Sequence, residues 1–468
     1  MGLPLVAPSP DARRAALARR RAALVSRLGD DVALLVAGVA RPRNYAANTF
    51  PFRPHSHFLY FFGWGAPGAV ALFEQGRASV FIPTPDPDDA LWSGPSPSLA
   101  ELGATLGIDV ALLDALPARL RGRTVATLPA ADAGSCAQQS QLLGREISRE
   151  TLSEADRRLA DAIIALRLAH DDAAVAELRL AATATAAAHE AGMRATAPGS
   201  TEASVRAAME AELTARGCAT AYGSIVTVHG EILHNEGHGN TLEADDLLLA
   251  DVGAETPGGW AGDVTRTWPV SGRYSPAQAD IYDVVLEAQR ATIAAVRPGV
   301  RYRDLHLLAT ETLARGLVSL GVFHGDPLER ARDGTAALLF PHGVGHLLGL
   351  DVHDMEDLGD RAGYASGRTR ATEPGLRYLR LDRDLAPGMA VTIEPGLYFV
   401  PAILDDPQVR QRTADRVDWA RLEPYRRLRG IRIEDDILVT ATGAEVLTEK
   451  IPKTRAAIEA FMGTGPRT

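Results

Sequence analysis

Leu247-Leu-Leu-Ala-Asp251-Val-Gly-Ala-Glu255-Thr-Pro-Gly-Gly259-Trp-Ala-Gly-Asp263-Val-Thr-Arg-Thr-Trp-Pro-Val270 runs from an apolar segment ending in an aspartate, through a turn-rich stretch, to a second aspartate that opens an alternating segment. It reads as two strands of a hairpin carrying one carboxylate each. Two further acids occupy comparable places. Glu394 ends Met389-Ala-Val-Thr-Ile-Glu394 ahead of Pro395-Gly396, and Glu434 lies in Gly430-Ile-Arg-Ile-Glu-Asp-Asp-Ile437. Acids at the ends of apolar strands are costly unless something cationic receives them. Asp251, Asp263, Glu394 and Glu434 bring four negative charges and His346 a neutral imidazole, a set that two divalent cations balance without help from lysine or arginine.

Around this segment the chain alternates helices and strands, an α/β (α+β) pattern. A helical stretch reaching Thr196 stops at Pro198-Gly199 and is followed by a second helix, Ala203 to Arg216; another stops at Pro298-Gly299 and is followed by Asp304 to Leu320. Each helix pair precedes a β region that supplies two of the acids, so the C-terminal part reads either as two similar αβ units facing one site or as a chance recurrence of Pro-Gly helix ends. Ahead of it, Ser9-Pro10-Asp11 caps a helix over 13–28 that Gly29 stops, and apolar runs follow at 32–36, 69–73 and 78–82 before a proline-rich loop, Pro83 to Pro97. This is a smaller α/β domain. The boundary is set at 160/161, inside a charged helical pattern from Ser153 toward His170, giving domains of 1–160 and 161–468.

The 468 residues are 46% hydrophobic and 23% charged, as in a soluble globular protein of two domains. A formal net charge of −10 argues against nucleic acid as a partner. Arginine supplies the basic charge, with Lys450 and Lys453 the only lysines. Cys136 and Cys218 have neither the number nor the spacing of a disulfide framework or zinc site, which fits a reducing compartment. The segment before Asp11 lacks the apolar core of a signal peptide, and no stretch is long and apolar enough to span a bilayer, so cytoplasm is expected and no membrane partner.

His342-Gly-Val-Gly-His346 spaces two histidines four apart, but its glycines argue for a loop and not a metal-binding helix. His353 follows seven residues on, and His234 in Ile232-Leu-His234 is a further candidate. An oxygen-rich ligand set with one nitrogen suits Mn2+ and also admits Zn2+, Co2+ or Fe2+. Two such ions about 3.5 to 4 Å apart are machinery for hydrolysis. Strand periodicity turns Arg432 the way of Glu434 and Thr265 the way of Asp263, so both are candidates to orient a bridging carboxylate. Arg432 reads alternatively as an ordinary ion-pair partner.

These residues together resemble the pita-bread metallopeptidases, and within them the aminopeptidase P and prolidase branch. The matching segments run in order: Ile232-Leu-His234, Leu249-Ala-Asp251, Gly262-Asp-Val-Thr-Arg-Thr267, Pro341-His-Gly-Val-Gly-His346, Leu350-Asp-Val-His353, Thr392-Ile-Glu-Pro-Gly-Leu-Tyr398 and Gly430-Ile-Arg-Ile-Glu-Asp-Asp436. The smaller domain resembles that branch more weakly, through Phe52-Arg53, Phe58-Leu-Tyr-Phe61 and Leu91-Trp92. The resemblance implies a creatinase/aminopeptidase-like pita-bread domain with pseudo-twofold αβ repeats behind an aminopeptidase P-like α/β domain. It implies that Asp251 holds one metal ion, Asp263 and Glu434 bridge two, and His346 and Glu394 complete the second. Glu394 is then also the general base, His353 and His342 contact substrate and the developing oxyanion, and His234 lies near the substrate amine or the proline. Trp92 is implied to reach a neighbouring subunit's site, as in a homodimer or homotetramer, or else it packs under the proline-rich loop. Arg380 falls where prolidases receive the dipeptide carboxylate, or is one more surface arginine.

The chain departs from the branch in three places: a hairpin one residue longer between Asp251 and Asp263, a shorter segment with an extra histidine, His229, ahead of His234, and an insertion between Leu397 and Gly430 that includes Asp405, Asp406 and Arg410. The first expectation is an Xaa-Pro aminopeptidase acting on proline-containing peptides with two Mn2+ ions. The second is an Xaa-Pro dipeptidase. A non-catalytic peptide- or protein-binding descendant has little reason to keep all five ligands, and metal-free creatinase-like hydrolysis does without them.

Overall fold

The computed structural model describes residues 9–86 and 88–463; the short segment ahead of Asp11 that bears on signal-peptide character, residues 1–8, lies outside them, as does Pro87 of the proline-rich loop. The chain divides into two compact units that meet at Ala173/Ala174. The expected boundary, 160/161, falls inside a helix, Glu154–Arg167, that is pinned to the N-terminal unit: Leu159 and Ile163 are buried, Asp156 accepts from the Thr127 N–H at 2.8 Å, and the Tyr60 hydroxyl donates to Leu166 O at 2.8 Å.

In the N-terminal unit the elements run α1 Pro10–Leu28, β1 Val32–Val36, α2 Ser56–Phe62, β2 Val70–Glu74, β3 Arg77–Ile82, α3 Asp89–Ser93, α4 Leu99–Leu106, β4 Asp109–Leu112, α5 Leu116–Leu120, β5 Val125–Thr127, α6 Ala133–Leu143 and α7, the helix just described. The Ser9 side chain caps α1 by accepting from the Ala12 N–H, and Gly29 closes it, as the sequence signals require. The sheet order is β4-β3-β2-β1-β5. Leu34, Val36, Val70, Leu72 and Phe81 fill its core against Leu116 and Leu120 of α5. Trp92, on α3, is 81% exposed, so it does not pack under the proline-rich loop; the short helix turns its indole outward.

The C-terminal unit contains the two facing αβ halves of a pita-bread fold. The first half is α8 Asp172–Ala195, α9 Glu202–Ala215, β6 Ala219–Thr220, β7 Ile225–Thr227, β8 Leu247–Asp251, β9 Ala254–Glu255 and β10 Thr265–Pro269. The second is α10 Pro276–Ala295, α11 Tyr302–Ser319, α12 Pro327–Arg332, α13 Asp360–Gly363, β11 Ala390–Ile393, β12 Gly396–Tyr398, β13 Gly430–Arg432, β14 Asp435–Val439, β15 Ala444–Val446 and, after it, a closing helix, Arg455–Gly463. Each half carries a three-stranded antiparallel sheet, β10-β8-β7 and β11-β14-β15. The insertion between Leu397 and Gly430 folds mainly as short helices at Pro401–Leu404, Pro407–Arg412 and Trp419–Leu422.

One sequence expectation changes here. Asp263 stands two residues before β10 and not on it, because its N–H is taken by the Asp436 carboxylate (3.2 Å to each oxygen) in place of a ladder partner. The alternation in β10 does not separate a wet face from a dry one: every residue of β10 is buried. Its polar members are instead paired with the other half. Arg266 donates to Asp435 at 2.7 Å with both side chains fully buried, and Thr267 Oγ1 donates to Arg432 O at 3.0 Å.

The hairpin between Asp251 and Asp263 turns at Thr256–Gly259, where the Gly259 N–H reaches Thr256 O at 2.8 Å. At its base the chain crosses itself so closely that a Cβ on Gly253 would lie 1.8 Å from Gly262 O. Substituting Gly253→Ala is therefore expected to cost about 2 kcal/mol or more of stability, typical of forced overpacking. Urea unfolding with an unchanged m-value and a lowered midpoint checks this.

Candidate metal and catalytic site

The register of the strands brings the acids together. β8 presents Asp251 opposite Thr265 of β10 and Ile225 of β7, while β11 and β14 pair Ile393 with Asp435, leaving Glu394 and Glu434 at the adjacent ends of the second sheet. The Glu434 N–H donates to Thr265 O at 3.0 Å, which stitches the second half onto the first beside the acids. His346 reaches the junction from the glycine loop after Pro341. An added Cβ on Gly345, at φ +152, would meet Thr392 O at 2.3 Å, so only glycine lets this loop lie against β11.

Ligand-type atoms of Asp263, His346 and Glu434 lie within 4.8 Å of one another, all three residues buried. His346 Nε2 is 3.3 Å from Asp263 Oδ2 and 3.4 Å from Glu394 Oε1, which brings Glu394 into the group. Asp251 joins through Tyr222, whose hydroxyl lies 2.5 Å from Asp251 Oδ1 and 2.7 Å from Asp263 Oδ1. All five predicted ligand residues line one cavity of about 470 Å³, with His234, His342, His353 and Arg380 on its wall.

The supporting contacts are paired differently from the strand-face expectation. Thr265 Oγ1 donates to Glu434 Oε2 at 2.8 Å and not to Asp263, and Arg432 donates to Asp251 Oδ2 at 2.6 Å and not to Glu434. Periodicity names the face of a strand. It does not name the partner across two sheets, and Glu434 lies between β13 and β14, where the regular alternation is broken. Arg432 also donates to Thr265 Oγ1 at 2.8 Å and to the Tyr398 hydroxyl at 3.1 Å, so one guanidinium ties together supports from both halves. Sequence reasoning gave Tyr222 and Tyr398 no part. Tyr398 closed a recognised motif, but Tyr222 precedes a three-residue strand, β7, too short to announce itself.

Crowding leaves its mark on protonation. Burial first, then the charges of Asp263 and Glu394, push the Glu434 carboxyl well above its ordinary range. Burial likewise lifts Glu394 to about 7, with Asp263 and Asp251 adding to it against His346 and Arg432. Burial opposes the charge on His346, but the Asp263 hydrogen bond and the Asp263 and Glu394 charges outweigh it and raise that imidazole to about 9. His342 and His353 go the other way: burial, then Arg432, brings His342 to about 3, and burial, then His346 and Arg380, brings His353 to about 2. His342 has partners on both nitrogens, Gly343 O at 2.7 Å and the Tyr398 hydroxyl at 2.8 Å. The His353 ring stands edge-on to His346 with centroids 4.3 Å apart, and His229 lies 3.0 Å from Glu231.

This donor chemistry fits a divalent cation. Four carboxylates share a buried junction in which Arg432 is the full positive charge in contact with one of them, and protons on Glu434, Glu394 and His346 make up the deficit. Oxygen ligands with one imidazole are the set that hard to borderline cations prefer.

Facing αβ halves with such a junction define a metal-dependent hydrolase. Residues 176–441 match the Metallopeptidase family M24 and residues 17–126 the Aminopeptidase P, N-terminal domain. The chain belongs to the M24 metallopeptidases. It is 34% identical to a probable Xaa-Pro aminopeptidase PEPP of Colletotrichum graminicola, over 86% of each chain. It is 30% identical to the Xaa-Pro dipeptidase of Homo sapiens, over 92% of this chain and 88% of that one. Zinc-substituted Escherichia coli aminopeptidase P in complex with product superposes with a TM-score of 0.80 at 29% identity, covering 97% of this chain and 99% of that one.

Two outcomes are expected of this geometry. His346 must shed its proton to offer Nε2 to a cation, and with a metal-free pKa of about 9 it is protonated below that pH. Manganese affinity should therefore strengthen as pH rises from about 6 toward 9, by up to about tenfold per pH unit for each proton displaced. Calorimetric titration in buffers of different ionisation enthalpy measures both the affinity and the proton release. Tyr222→Phe removes the hydroxyl shared by Asp251 and Asp263 and should weaken metal binding about 10- to 100-fold in the same titration.

Proposed function

We propose that this chain is an Xaa-Pro aminopeptidase that removes the N-terminal residue from peptides with proline in second position, using two divalent ions, most favourably Mn2+. The observation that carries this reading is the convergence of Asp251, Asp263, His346, Glu394 and Glu434 on one cavity whose wall holds three further histidines. Asp251, Asp263 and Glu434 would hold one ion, and Asp263, Glu434, His346 and Glu394 the other. Bound there, the ions supply Lewis acidity toward the scissile carbonyl and lower the pKa of water.

The residues of the chain do the rest. Glu394, at the edge of the ligand set and on the cavity wall, would take a proton from water and pass it to the leaving nitrogen. That proton matters because an amide nitrogen departs readily only once it is protonated, and the proline ring nitrogen then leaves as a neutral secondary amine. His353, held neutral, can hydrogen-bond the substrate or the oxyanion. His342 is fixed in the tautomer with Nδ1–H toward Gly343 O and Nε2 toward Tyr398, so its ring braces Tyr398 and Arg432 until a substrate competes for it. His234, exposed at the cavity mouth, can meet the substrate amine or the proline ring. Thr265 and Arg432 hold Glu434 and Asp251 in orientation. Trp92 is offered to a neighbouring subunit of a homodimer or homotetramer, for which its exposure is suitable.

The Xaa-Pro dipeptidase reading is supported by Arg380, which lines the same cavity and can bind a terminal carboxylate. A non-catalytic binder is disfavoured by the intact ligand set. No described helix is long and apolar enough to cross a membrane, which is compatible with the cytoplasmic location proposed here.

Purified protein should lose activity to a chelator and regain it with manganese at about two equivalents. It should release alanine from Ala-Pro-Ala with higher kcat/KM than from Ala-Pro, and cleave Ala-Ala-Ala at least about a hundredfold more slowly. A preference for Ala-Pro over the tripeptide selects the dipeptidase; no hydrolysis of either, in metal-replete protein, rejects both. Glu394→Gln should lower kcat at least about a hundredfold.

A further inference from the structure

Arg380 is held more firmly than a surface arginine. Its neighbours Leu379 and Leu381 are 2% and 0% exposed, which turns the side chain between them away from the core. The preceding carbonyl, Leu379 O, accepts from the Tyr364 hydroxyl and from Arg370 Nη1, both at 2.7 Å. Its own carbonyl lies so near Gly363 that a Cβ there would approach it to 2.3 Å. Arg380 lines both the main cavity and an adjoining one of about 200 Å³.

Arg380 also already has a carboxylate. Arg380 Nη1 donates to Glu356 Oε2, and the same oxygen lies 3.8 Å from His353 Nδ1. Glu356 is delivered there by a constrained turn. Met355, at φ 60, adopts the left-handed conformation that side chains seldom take, and its side chain is 1% exposed, so the turn is anchored by burial. The Glu356 N–H reaches His353 O at 3.2 Å, tying this turn to a histidine of the cavity wall. Yet the pair itself is only partly shielded, 36% exposed on each side, and uses one guanidinium nitrogen. Such a contact is exchangeable, and a carboxylate that took two nitrogens would outcompete it.

We propose that Glu356 is a specificity-determining residue: it occupies, on an arginine of the cavity wall, the position that the terminal carboxylate of an Xaa-Pro dipeptide would take on binding Arg380, and so disfavours dipeptides relative to longer peptides. The inference rests on the proposed peptidase reading for its substrates. In a dipeptide the anionic group belongs to the residue just after the scissile bond, and binding it at Arg380 means displacing Glu356 or placing two carboxylates side by side. In a longer peptide the same position is a neutral carbonyl, which leaves the Arg380–Glu356 pair intact. Discrimination then comes from an internal competitor for the anion site, not from a missing site.

The test compares Glu356→Gln and Glu356→Ala with the unaltered protein, each loaded with manganese. The ratio of kcat/KM for Ala-Pro to that for Ala-Pro-Ala should rise about two- to fivefold in both variants, the range an ion pair of this exposure commands. The ratio for Ala-Pro-amide, a dipeptide without the charge, should not follow it. A parallel calorimetric measurement uses Ala-Pro and Ala-Pro-amide with the scissile carbonyl reduced to methylene, so it needs no turnover. There the variants should tighten the acid relative to the amide by the same factor. Unchanged ratios in both experiments overturn the inference while leaving the hydrolysis of Ala-Pro-Ala as separate support for the peptidase reading. Absence of hydrolysis with a shifted binding ratio does the reverse.

Discussion

Like charges resist being gathered out of water, and everything in the C-terminal unit is arranged to gather them. Asp251 ends a strand, Asp263, Glu394 and Glu434 stand just outside three others, and all four share one junction with His346. In a medium that screens poorly, such a group cannot stay fully ionised alone, and the upward shifts of Glu434 and Glu394 and the protonation of His346 are the expected response. Cations remove the need for those protons. The metal-binding chemistry of the family thus follows from a folding problem: the scaffold must hold repelling groups in place before any ion arrives.

What holds them is a second layer of polar contacts running between the halves. Arg266 and Asp435 form a fully buried ion pair, with Lys453 Nζ, Gln289 Nε2 and Thr448 Oγ1 completing the Asp435 carboxylate at 2.6, 2.6 and 2.7 Å. Asp435 stands between Glu434 and Asp436, so fixing it fixes a residue of the junction on one side and the acceptor for the Asp263 N–H on the other. A buried pair of this kind is weak evidence for stability in itself, because desolvation offsets attraction. Its value here is positional. Arg432 does the corresponding work nearer the cavity, joining Asp251, Thr265 and Tyr398.

Much of this was legible in the sequence because it is written in local signals. Pro-Gly stops set the ends of α8 and α10, and strand-end acids next to glycine or proline marked where a charge leaves the core. The five ligand-type residues could be named because each type and place is chemically unusual. Contacts between the halves were not legible. Which strand-face partner Thr265 and Arg432 take, and why β10 is buried on both faces, depend on a packing of two sheets that no period within one strand encodes. Tyr222 escaped for the same reason: it is functional-site furniture only once β7 lies beside β8. Glu356 carries no motif, and its placement against Arg380 needs the left-handed turn at Met355.

One buried junction, shared by both halves, is the cation site on which the proposed chemistry depends. The most direct measurement is anomalous diffraction from crystals grown with manganese, with data collected on either side of the manganese absorption edge. Two edge-dependent peaks are expected at this junction, both within coordination distance of Asp263 and Glu434, with Asp251 at one and His346 and Glu394 at the other. Peaks elsewhere, or density at the junction that does not respond to the edge, would contradict it.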